Sequence, residues 1–191
     1  MTFSHSEKHR RSIRLSNFDY SVEGAYFLTI CAHNKRSFFG EISDCKMYVN
    51  EYGKIVLDEW QKTSILRPRI ITDAFVVMPN HIHGIIFIKN QKQTNNFGAR
   101  KKPPVVEKFG RPTSDSIPTI VRLYKSSVTM KINNLRHSPC EPVWQKNYFE
   151  HVIRDKKSLY LIREYIEQNP SNWESDDENP KVGARCNVPL L

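Results

Sequence analysis

The sequence is short of the residues that staple or anchor a chain. Its four cysteines, Cys31, Cys45, Cys140 and Cys186, fall in no CxxC or zinc-like spacing, so neither a disulfide framework nor a structural zinc site is expected. No apolar stretch is long enough to span a bilayer, and no secretory leader pattern is read at its start. A reducing cytoplasm is the expected compartment. Acidic residues are also scarce, 20 against 29 lysines and arginines, for a formal charge of +9. That surplus draws polyanions and suggests nucleic acid, although charge alone is equally that of an ordinary basic protein. What is present is enough chain, 191 residues, for one domain with its own core.

A polar, basic arm carrying Arg10, Arg11 and Arg14 precedes "AYFLTICAH", which is aromatic and β-branched enough for a buried strand. "SFFGEI" and "CKMYV" form a hairpin, and Asn50 caps a helix bearing Tyr52, Ile55, Val56 and Trp60. The runs "ITDAFVVM" and "HIHGIIFI" flank Pro79-Asn80 as a second hairpin. Residues 89–116 lose periodicity and gather Arg100, Lys101 and Lys102 into a long basic loop. A helix then runs from Ser116 to about Arg136, "VWQKNYFEHVI" reads as a strand, and Asp155 caps a last helix stopped by Pro170. The tail turns acidic at "ESDDEN". The expected fold is α+β, a ferredoxin-like or RRM-like antiparallel sheet with helices on one face. The expected organisation is a single domain over 1–173 with a tail over 174–191.

His81 and His83 stand two apart on the apolar "HIHGIIFI" strand. Alternation points both to one face, where their rings can share one ion with bonds of about 2.0–2.2 Å. With seven histidines in the chain, such a pair also arises by chance, and two core imidazoles satisfied by hydrogen bonds remain the alternative. Against that, an apolar strand offers few polar partners. A catalytic ion needs a third ligand, and the last helix is where to look. At 100° per residue, Tyr165 and Asn169 lie within about 60° of the buried stripe centred on Ile162. Tyr165 can equally be an amphipathic core residue with its hydroxyl at the rim.

Taken together, "FVVMPNHIHGIIFI", "VWQKNYFEHVIRD" and "LIREYIEQNP" resemble the HUH single-tyrosine transposases, in particular the REP-associated tyrosine transposase branch. The opening "RRSIRLSNFDYSVEGAYFLTICAHN" resembles the same group, and the likeness spans about residues 10–173. It implies an RRM-like fold in which His81 and His83 hold a divalent ion, Mg2+ or Mn2+. It further implies Tyr165 as nucleophile and Asn169, or its neighbour Gln168, as third ligand. The implied activity is single-stranded DNA cleavage near hairpins of repeated extragenic palindromes through a 5′-phosphotyrosine, followed by strand transfer. A cytoplasmic, nucleoid-associated protein acting as a monomer or homodimer is expected.

On the substrate side, Arg10, Arg11, Arg14, Arg100, Lys101 and Lys102 are candidates for phosphate contacts, and Phe18, Tyr20, Trp144 and Tyr148 for base stacking. A histidine-triad hydrolase would need a third histidine where Ile85 stands. The stronger rival is a non-catalytic RRM-like nucleic-acid binder, against which the joint retention of His81, His83 and Tyr165 speaks.

Overall fold

The computed structural model describes residues 18–90, 113–180 and 182. Strand β1 (Gly24–Cys31) leads into a small hairpin of β2 (Gly40–Ser43) and β3 (Lys46–Val49), then helix α1 (Glu51–Ile65). Strands β4 (Ile70–Val77) and β5 (His81–Ile88), helix α2 (Ile117–Leu135), strand β6 (Phe149–Ile153) and helix α3 (Lys156–Gln168) follow. The main sheet has the order β4-β5-β1-β6 with every neighbour antiparallel. With the β2–β3 hairpin set aside, this β-α-β-β-α-β path with β1 and β5 central is the ferredoxin-like arrangement, as expected from the sequence.

Each helix starts at a residue whose side chain accepts a backbone N–H three residues on, satisfying a donor the helix itself leaves open. These residues are Asn50 for α1, Ser116 for α2 and Asp155 for α3. Gly53 is unfavourable in a helix by propensity, but here the Phe39 carbonyl and the Val49 side chain occupy the space of a Cβ. Close approach of α1 to the β2–β3 hairpin therefore requires it.

The sequence suggested helices on one face of the sheet; in the structure they cover both. Alternation along β1 and β5 sends Tyr26, Leu28, Ile30, Ile82 and Ile86 into a core with α1 and α2, and Phe27 and Ile85 into a second core beneath α3. Both faces of the central strands are apolar, so both need cover. Between α1 and α2 the buried Glu59 is held by Lys62, Lys131 and Ser127. Burial opposes its charge, yet these partners hold its carboxyl down at about 2.

Two further expectations change. The strand predicted from Val143 begins only at Phe149, because the carbonyls of Gln145, Lys146 and Asn147 converge on the Lys125 ammonium at 2.6, 3.3 and 3.1 Å instead of entering the ladder. Tyr20 and Trp144, candidates for base stacking, are buried in the main core, and Phe18 and Tyr148 pack against it. They serve packing.

Candidate active site

β5 carries His81 and His83 on the face beneath α3, both essentially inaccessible to solvent. The register pairs Thr29 of β1 with His83, and the Thr29 hydroxyl lies 2.8 Å from Nδ1 of that ring. Asn80 stands just before the strand. Its amide nitrogen donates to the carbonyls of Lys35 (3.1 Å) and Glu178 (2.6 Å), which leaves its oxygen to face Nδ1 of His81 at 2.8 Å. A carboxamide oxygen only accepts, so His81 Nδ1 carries the proton and Nε2 presents its lone pair to the site.

The two Nε2 atoms stand 3.0 Å apart. Two donors bonded to one ion at about 2.1 Å and at a right angle stand about 3.0 Å apart as well. Burial holds His83 down at about 3 and His81 well below the usual imidazole range, the latter aided by His83 and by Lys35. Both rings are therefore neutral at pH 7, the state in which imidazole binds metal.

α3 brings the other half of the site. Ile162 and Ile166 bury its apolar stripe against Phe27, Ile85 and Ile153, a contribution of about 1.5–3 kcal/mol for each isoleucine. The register of the helix is fixed further by Arg163, whose Nε donates to Asp73 at 2.8 Å across to β4, next to an irregularity in that strand between Thr72 and Phe75. One turn of helix then sets Tyr165 over the histidines, its hydroxyl 3.2 Å from His83 Nε2. Phe27 packs edge-on against the phenol and flat on the His83 ring.

Burial raises the Tyr165 phenol above its ordinary range. Asp176, Asp177 and Glu178 add to the rise, while a hydrogen bond from Asn169 opposes it. Left to itself, this site disfavours a phenolate.

Asn169 follows α3 and is 1% exposed. Its amide nitrogen donates to Asp176 Oδ2 at 3.2 Å, and its carbonyl oxygen has no partner among the described residues. Gln168, the alternative third ligand, is exposed and bonds to Glu164 on the outer side of the helix. Asp176 was not foreseen. It comes from the acidic stretch after α3 and, with His81 and His83, offers one atom each within a 4.8 Å span.

Tyr165, His81, His83 and Asn169 are thus brought together, whereas Arg10, Arg11, Arg14, Arg100, Lys101 and Lys102 lie outside the described residues. Sequence reasoning also missed the roles of Thr29 and Asn80. A lone threonine in an apolar strand and a carboxamide next to a paired histidine were the available signals.

The donor set of imidazole nitrogen and carboxamide or carboxylate oxygen fits a divalent ion. Its hydrogen-bonded outer partners, Thr29 and Asn80, orient the rings as such sites require.

No family model matches the chain. A solved structure of a REP-associated tyrosine transposase bound to a REP hairpin superposes with a TM-score of 0.55 at 20% identity, covering 84% of this chain and 74% of that one. The fold is that of the REP-associated tyrosine transposases. A Haemophilus influenzae protein named "Putative REP-associated tyrosine transposase" is 23% identical over 158 residues, 82% of this chain and 76% of the relative. The chain belongs to one family with an uncharacterized protein of Haemophilus influenzae, 43% identical over 169 residues, 88% of this chain and 92% of that protein.

Proposed function

We propose that this protein is a transposase-like, single-stranded DNA endonuclease and strand transferase. In this reading it cleaves near hairpins through a covalent 5′-phosphotyrosine. The observation that carries this reading is the meeting of the Tyr165 hydroxyl with His83 Nε2 at 3.2 Å, from an α3 helix and a β5 strand that nothing in local sequence obliges to meet.

Tyr165 is the nucleophile. Its oxygen attacks the scissile phosphorus and its proton leaves to solvent. The departing 3′ oxygen takes up a proton, so one phosphodiester is exchanged for another. Because the bond is retained, a second 3′-hydroxyl can reverse the attack and join a new strand. His81, His83 and Asn169 would hold Mg2+ or Mn2+ at the phosphate. When bound, such an ion supplies positive charge to the phosphate oxygens and favours the phenolate.

Thr29 and Asn80 keep the imidazoles oriented. Phe27 walls the phenol on its apolar side, and the Arg163–Asp73 pair holds the helix in register. In this proposal Arg10, Arg11, Arg14, Arg100, Lys101 and Lys102 take the DNA backbone. Its partners are single-stranded hairpins such as repeated extragenic palindromes, met in the cytoplasm on the nucleoid. Among the described residues, no helix is long and apolar enough to cross a membrane.

The test is direct. Hairpin-bearing single-stranded DNA mixed with protein and Mn2+ is expected to yield a denaturant-resistant protein–DNA adduct that Tyr165→Phe abolishes. A non-catalytic binder would retard the DNA and form no adduct, and that outcome overturns the proposal.

A further inference from the structure

The stretch Asp176-Asp177-Glu178 follows the short turn Trp173–Ser175, and of its three acids Asp176 alone is buried, at 8% exposure. Its carboxylate is held by two neutral donors, the Glu178 N–H to Oδ1 at 2.7 Å and the Asn169 amide to Oδ2 at 3.2 Å. Among the described residues it has no cationic partner, although an ionised carboxylate out of water calls for one. Within 4.8 Å lie two buried imidazole nitrogens, one of them with its lone pair fixed outward by Asn80. Beside them the 1% exposed Asn169 has a carbonyl oxygen that, among the described residues, has no partner. Two imidazole nitrogens, a carboxylate and a carboxamide oxygen thus gather here as Lewis bases, and among the described residues no cation is bonded to that carboxylate.

We infer that Asp176 is a ligand of the divalent ion, adding a carboxylate to His81, His83 and Asn169. The inference rests on the proposed ion site. It assigns the acidic segment after α3 to the site itself. Asn169 then has two tasks, since its amide nitrogen aims the carboxylate while its oxygen faces the ion. An anionic ligand raises affinity for a hard divalent ion through its charge. It also leaves the bound ion less positive than three neutral ligands would.

The inference is tested by titrating DNA-free, full-length protein with Mn2+, following the free-ion electron paramagnetic resonance signal. Asp176→Asn is expected to weaken Mn2+ binding by about tenfold or more, while Asp177→Asn, on a less buried neighbour, leaves it within about twofold. Metal-free melting curves establish that each variant is folded. His81→Ala with His83→Ala should abolish binding.

If Asp176→Asn binds Mn2+ like the unaltered protein while the double histidine variant does not, Asp176 is no ligand and the proposed function stands. If Asp176→Asn and Asp177→Asn weaken binding equally, the effect is one of general charge and the inference falls. Binding indifferent to the histidines would overturn the ion site and this inference with it.

Discussion

The Asn80 carboxamide decides which nitrogen of His81 is free. Two backbone carbonyls, those of Lys35 and Glu178, take its amide protons, so its oxygen is left to accept from His81 Nδ1 at 2.8 Å. Asn80→Ala removes that acceptor and unfixes the ring. Outer partners of metal-binding histidines typically govern affinity by about 10–100-fold, and a loss of that size in Mn2+ affinity is expected. Isothermal titration checks it, and unchanged affinity would remove Asn80 from the site.

Tyr165→Phe separates chemistry from architecture. The ring contacts with Phe27 and His83 persist, and the hydroxyl's hydrogen bonds with His83 and Asn169 are lost, about 0.5–1.5 kcal/mol each. The variant is expected to melt within a few degrees of the parent and bind hairpin DNA with similar affinity while forming no covalent adduct. A variant that unfolds at ambient temperature would mean the phenol is a structural post.

Stability should depend on pH through the buried histidines. His83 is held down at about 3 by burial, against about 6.5 in an unfolded chain. Between those values the unfolded state binds the proton and the folded state does not. Stability is therefore complete above about pH 6.5 and falls as pH drops toward 3. At pH 5 the loss for one such histidine is about 2 kcal/mol. His81 shifts in the same direction and adds to it. Urea unfolding in chelator at pH 7 and pH 5 measures the difference, and His83→Gln should flatten it.

Gly84 is the residue behind the histidines that must stay small. A Cβ there would run into the Trp60 ring and meet Phe75 at 2.9 Å, in a stacked pair whose centroids are 4.5 Å apart. Gly84→Ala is expected to destabilise the protein by about 1–3 kcal/mol through overpacking, read as a lower urea midpoint with an unchanged slope. A neutral substitution would show that α1 can give way.

Much of this was legible because it is local. Caps at Asn50, Ser116 and Asp155 lie within three residues of the N–H groups they serve. The shared face of His81 and His83 follows from a period of two, and the convergence of Tyr165 and Asn169 from the angle along α3. What was not legible depends on residues far apart in the chain. Lys125 withdraws the 145–147 carbonyls from the sheet across some twenty positions. α3 covers the face opposite α1 and α2, which no helix stripe reveals. Asp176 is one of three consecutive acids, and only the fold distinguishes it.

The two halves of the site differ in how firmly they are seated. Seven of the eight residues of β5 are buried, so the imidazoles ride on a strand packed on both faces, whereas α3 fully buries only Ile162 and Ile166. In the proposed cycle, α3 is therefore the half of the site with less packing to give up when it moves. A DNA end tethered to Tyr165 can swing with it toward a new acceptor while the anvil of paired strands beneath keeps its shape.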